Sequence, residues 1–248
     1  MTPTRGGSRF AMALAASLLL ASCHKDPPKT WDDNDHSTIR WVSNPAADLM
    51  SSQGTFVRAV TESMPAARMG QGRGIEAIRN GGYPGFEHAL NNVRDPGFFD
   101  GDKHRYGNRL VGTAYNSVVG LIQQGDRYTA EICSDLRQTA TLRDDGKYIM
   151  NNLENWVSTL SITFGPDPKI PSDQQHSPPP RQRGPAERPT DDVFGTWVLF
   201  DFKAASTPSP QCKSIAPTIP NEWAKPDLLR DPPPTLSPDP GWPQGSST

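Results

Sequence analysis

The stretch LVGTAYNSVVGLIQQGDRYTAEICSDL, residues 110–136, decides how the chain folds. Its first half, 110–123, is apolar and rich in β-branched residues. Gly125-Asp126 then supplies a turn, although Gly before Asp is a weaker turn signal than the reverse order. Residues 127–136 alternate: Tyr128, Ala130 and Ile132 fall on one face, Thr129, Glu131 and Cys133 on the other. Two strand-like runs about a two-residue turn read as an antiparallel hairpin.

Upstream of the hairpin the period changes. Residues 52–69 carry Phe56, Val60, Met64 and Ala67 at helical spacing beside Val57. Pro65 is expected to kink or end that helix, because proline lacks an N–H and clashes with the preceding turn. Gly70, Gly72 and Gly74 then break it. Two short helices follow, at 75–80, closed by Gly81-Gly82, and at 86–93, stopped by Asp95-Pro96-Gly97. Downstream, Asp144-Asp145-Gly146 marks another turn. In 156–164 Trp156, Ser158, Leu160, Ile162 and Phe164 share a strand face. Residues 195–203 (GTWVLFDFK) form the last strand, apolar on both faces as a central strand would be. Helices first and strands after them predict an α+β fold, with N-terminal helices packed on a curved antiparallel sheet.

Proline is skewed along the chain: 19 of 26 lie beyond Phe164. A proline-rich insertion, 165–192, separates the last two strands. Residues 216–248 are expected to be mostly disordered or polyproline-like. The expected divisions are thus 1–22, 23–40, a single domain over 41–215, and the tail.

The N-terminal region has a different character. Arg5 and Arg9 precede twelve apolar residues, FAMALAASLLLA at 10–21, with no acid among them. That run is too short to span a bilayer, which takes about 20 residues, and has the length of a signal-peptide core. Leu20-Ala21-Ser22-Cys23 resembles the bacterial lipobox at all four positions. The resemblance implies cleavage before Cys23, a diacylglyceryl thioether on its sulfur, and acylation (palmitate) of the new amine. The expected address is the extracytoplasmic face of the cell membrane, held by lipid on Cys23, each buried methylene contributing about 0.8 kcal/mol. Residues 24–40 read as a polar tether, and Asp32, Asp33, Asp35 and His36 within it as solvated groups rather than a metal site.

With Cys23 lipidated, Cys133 and Cys212 remain, and a secreted location permits them a disulfide. A reactive thiol is less well supported, since no histidine lies near Cys133 in sequence. Net charge is -2, and no basic stripe argues for nucleic acid. Arg181, Arg183 and Arg188 sit among prolines and read as a solvated linker.

Catalytic motifs fail inspection. Gly70-Gln-Gly-Arg-Gly74 follows no strand and lacks dinucleotide-loop spacing. Asp100-Gly-Asp-Lys-His104 opens like a calcium loop, but the fifth, sixth and twelfth places hold His104, Arg105 and Val111. Nucleophile-elbow, zincin and Walker patterns are absent from the sequence. No cofactor or metal is expected.

The segments WVSNPAADLM (41–50), GTFVRAVTES (54–63) and GGYPGFEHALN (81–91) resemble lipoproteins of actinobacteria, of mycobacterial type. That likeness implies an address and no activity. Element order over 52–203 resembles the NTF2-like cone. Such a cone implies an apolar pocket, here lined by Tyr83, Tyr115 and Trp197 with Asp201 as a polar member. Burial would raise the Asp201 carboxyl and make it a candidate acid or base; on a wet face it would only solubilise. The functional expectation is a non-enzymatic binding or accessory module for an apolar small molecule or an envelope protein. One alternative is a small hydrolase or isomerase, requiring Asp100, His104 or Asp201 to converge. Another is an interaction protein that uses its proline-rich segments.

Overall fold

The computed structural model describes residues 31, 33–101, 109–150, 157–205, 207–215 and 228–245. Elements follow in the order β1 (Asp35–Trp41), α1 (Ser52–Arg68), α2 (Ile75–Gly81), α3 (Phe86–Leu90), β2 (Leu110–Gln124), β3 (Arg127–Asp135), β4 (Thr139–Leu142), β5 (Tyr148–Met150), β6 (Val157–Pro166), β7 (Trp197–Ala205), α4 (Pro210–Ile215) and β8 (Leu228–Leu229). The fold is α+β, with an open and mainly antiparallel sheet ordered β7-β6-β3-β2-β4-β5-β8.

β2 and β3 are the hairpin read from sequence. Gln124 pairs with Arg127 across Gly125-Asp126, and Gly125 takes φ 64°, the left-handed region glycine enters most easily. β1 lies parallel to β2, Asp35 opposite Leu110 and Trp41 opposite Asn116. A strand has two edges, so β1 forces β3 and β4 onto the other one. They continue one another there, β4 opposite residues 110–112 and β3 opposite 115–124.

The two faces of the sheet differ. Val118, Ala130, Ile132, Ile162 and Phe164 join Phe56, Val57, Val60 and Phe86 of the helices in one core. Phe56 stacks on Phe164 at 4.8 Å, and Tyr128 stacks on Trp197 at 5.4 Å. Cys133, Glu131 and Thr159 point the other way. There α4 docks: Cys133 and Cys212 form a disulfide with Cα atoms 5.2 Å apart, Ser209 Oγ donates to Glu131, and Ser209 N donates to Thr159 Oγ1.

Helix α1 starts at Ser51, whose hydroxyl accepts from Gly54 N at 3.0 Å, an N-cap. It runs through Pro65 to Arg68 rather than ending there. Pro65 sits in the last turn, and its carbonyl accepts from Met69 N at 3.1 Å, so the turn closes despite the missing donor. Gly81 lets α2 approach α1, since a Cβ there would fall 2.0 Å from the Ala66 carbonyl oxygen.

Three boundaries differ from the sequence reading. The stretch expected to be tether contains β1, where Thr38, Ile39 and Trp41 ladder onto β2 and Asp35 is tied locally by Ser37. The strand expected to be central, β7, is at the sheet edge. It is apolar on both faces because Leu199 and Phe202 meet the core while Arg127 covers Phe200 at 4.1 Å. Asn91 and Arg94 side chains donate to the Leu199 and Phe202 carbonyls of this strand, which blunts the edge. The tail is ordered over 228–245: Leu228 and Leu229 pair with β5, and Asp239 exchanges backbone hydrogen bonds with Ile39 and Trp41 of β1. Among the described residues, no helix is long and apolar enough to cross a membrane.

Candidate functional site

Beneath the tail lies a buried carboxylate. Glu62, 3% exposed on α1, turns inward where a helix facing solvent would turn out. Its Oε1 accepts from Trp41 Nε1 at 2.7 Å. Its Oε2 accepts from Tyr83 Oη at 2.8 Å and from Trp242 Nε1 at 2.7 Å. Arg58, one turn earlier on α1, places Nε 3.9 Å from Oε1. Its guanidinium donates to the carbonyls of Gln182, Pro240 and Gly241 and lies 4.2 Å over the Trp242 ring. A buried charge needs such company.

Burial pushes the Glu62 carboxyl above its ordinary value, opposed by Arg58 and the three donors. Burial and the neighbouring Glu62 charge hold the Tyr83 phenol well above its ordinary value, so it stays a donor. Both oxygens of Glu62 are engaged by side chains, and the residue is almost wholly buried. The arrangement clamps the tail; it gives substrate no access to a base.

A second cluster adjoins it. Arg188, 12% exposed on its side chain, pairs through both terminal nitrogens with Asp33 and donates to the Asp35 carbonyl at 2.8 Å. Burial works against that charge, but Asp33 holds it above the ordinary arginine value. Arg188 also sits over Trp31, which meets Tyr83 edge-on at 5.7 Å. Burial raises the Asp35 carboxyl, with Arg188 opposing. These groups border an open cleft of about 580 Å³ with His36 and Glu187. Arg188 and Asp33 are therefore structural partners, not the solvated linker and tether groups expected from sequence. Asp32 lies outside the described residues.

The four residues expected to share a pocket do not converge. Tyr83 is consumed by Glu62. Trp197 is packed among Phe56, Tyr128 and Phe164 in the core. Asp201 is on the surface, 44% exposed on its side chain, paired with Lys203 at 2.5 Å. Only Tyr115 borders a cleft, of about 540 Å³, with Arg40, Trp41, Val42, Leu236 and Ser237. Asp100 pairs with Arg73 at 3.4 Å and Asp201 with Lys203; His104 lies outside the described residues. So does Cys23. Among the described residues no cluster of three or more His, Cys, Asp or Glu could hold a metal.

His88 contacts the buried Asp167 at 3.1 Å beside a further cleft of about 510 Å³. Burial raises the Asp167 carboxyl, but the Lys169 N–H and His88 outweigh it and leave it lowered. The pair fastens the insertion to α3.

Sequence reasoning missed Glu62, Arg58 and Trp242. One signal could have found the first two: Arg58 and Glu62 are spaced i,i+4 within the helical stretch FVRAVTESM. No family model, curated protein or solved structure matches the chain.

Proposed function

We propose that the chain is a membrane-anchored envelope lipoprotein, tethered by lipid on Cys23, that acts outside the cytoplasm as a non-enzymatic binding or accessory module. The lipobox sequence Leu20-Ala21-Ser22-Cys23 after an apolar run carries this reading. The Cys133–Cys212 disulfide supports it, because such bonds persist in oxidising compartments. Support for the non-enzymatic half comes from packing: Trp197 stacks among Phe56, Tyr128 and Phe164, Tyr83 is bonded to Glu62, and Asp201 is paired with Lys203 on the surface. Relation to that cone is part of the same proposal, drawn from element order.

The proline-rich segments are turned inward on this reading. Thr55 and Arg58 donate to the carbonyls of Pro179 and Gln182 respectively, and Trp242 is buried. They brace the domain, leaving its open clefts to meet partners. The test is fractionation of the full-length chain against Cys23→Ser in a host with a lipoprotein pathway. The wild type is expected in membranes, extractable by detergent but not by salt or alkali, and Cys23→Ser in no such lipid-held form. Equal membrane retention of both would overturn the anchor.

A further inference from the structure

Three candidates stand outside the clamp: the Asp35–Arg188 cleft, the His88–Asp167 cleft, and the cleft bordered by Tyr115. The first has its arginine saturated by Asp33, and the second binds the insertion to α3. The third holds an unanswered polar group. Tyr115 is 4% exposed, yet among the described residues nothing donates to or accepts from its Oη. Buried hydroxyls are nearly always paired, so such an atom beside a cleft marks a place for a ligand oxygen.

The surroundings define what would fit. Tyr115 on β2 stands opposite Arg40 on β1, so the two side chains share a face. Arg40 is the one charged residue among the described residues lining the cleft; it is braced by Ser237 O at 2.6 Å and Asp239 Oδ2 at 3.2 Å. Val42 and Leu236 supply apolar wall, and Leu236, 43% exposed, is one of four large hydrophobic side chains that face solvent among the described residues. A phenol donor beside a guanidinium already shared with Asp239 matches at most a single negative charge; a phosphate dianion would call for more. Burial raises the Tyr115 phenol, with Arg40 opposing, so it remains a neutral donor.

We propose that this cleft binds a small apolar carboxylate. Its anionic head accepts from Tyr115 Oη and faces Arg40, and its hydrocarbon body lies along Val42 and Leu236. The inference deepens the binding-module reading and rests on it, but not on lipid attachment.

Calorimetric titration of the purified full-length chain with octanoate tests it, with octylammonium as the control of opposite charge. Saturable one-to-one octanoate binding is expected, about tenfold weaker in Tyr115→Phe, the loss of one charge-assisted hydrogen bond. Arg40→Gln should weaken it as well, and octylammonium should not saturate. Thermal unfolding of Tyr115→Phe no lower than wild type establishes that the loss is local. Absent or non-saturable octanoate binding, unchanged affinity in Tyr115→Phe, or equal binding of octylammonium would each overturn the proposal. Any of these results would leave membrane tethering through Cys23 standing.

Discussion

Trp242 donates its indole N–H to Glu62 Oε2 at 2.7 Å, joining residues 180 apart in the sequence. Glu62 stands on α1 and Trp242 at the far end of the ordered tail, so this bond closes the chain over its own core. The ring meets Tyr83 edge-on at 5.7 Å and supports Arg58 on its other contact.

Truncation of that anchor should be costly. Trp242→Ala is expected to lose about 3–5 kcal/mol in denaturant unfolding, the range for emptying a buried aromatic site. Trp242→Phe should lose less, since it keeps part of the ring packing while removing the N–H. Equal stability of Trp242→Ala and wild type would mean that the tail is not held as described.

The buried carboxyls make stability depend on pH with an uncommon sign. Burial raises Glu62 and Asp35 above their ordinary values near 4.5 and 3.8. Between those values and the raised folded ones, the folded state binds more protons, so stability rises as pH falls through that window. Above the folded values the contribution is flat and least favourable. Glu87 works oppositely: Arg79 lowers it, and its stabilisation goes only as pH falls through its lowered folded value. Denaturation midpoints should therefore rise as pH falls from above the raised folded values toward the ordinary ones. Asp35→Asn, which preserves the Ser37 hydrogen bonds, should flatten part of that slope. An unchanged slope would contradict the assignment.

Arg188→Met should be among the more damaging changes outside the core. It leaves Asp33 and Asp35 without their shared cation, and breaking a buried pair costs about 3–5 kcal/mol. Unfolding at neutral pH reads the loss. A cost below about 1 kcal/mol, the value of an exposed pair, would show that the cluster is solvated after all.

The disulfide closes 79 residues of sequence. Cys212→Ser is expected to lower stability by about 4–5 kcal/mol in the chain-entropy account. It should also free α4 from the outer face, read as faster amide exchange in 210–215.

What the sequence made legible follows from periodicity. The hairpin over 110–136 alternates long enough to announce itself, and its turn fell where Gly125-Asp126 stood. The pairing of Cys133 with Cys212 followed from elimination. β1 was hidden because the face that carries Ile39 and Trp41 also carries Asp35 and Ser37, and the other face, His36, Thr38 and Arg40, is polar although Thr38 is buried, so alternation gave no signal. Trp242 was hidden for a different reason: one anchor among prolines has no period at all. An indole with a single donor seldom stays in water when a buried acceptor is free, and a carboxylate such as Glu62 within an apolar helix was its counterpart. The candidate pocket failed because tyrosine and tryptophan were assigned to a hollow that core packing fills.

On the proposed reading the chain hangs from a membrane by lipid on Cys23. Mass spectrometry of the N-terminal peptide from native protein tests it most directly. The account expects cleavage after Ser22 and a diacylglyceryl thioether on Cys23. A peptide beginning at Met1, or one carrying an unmodified Cys23 thiol, would contradict it.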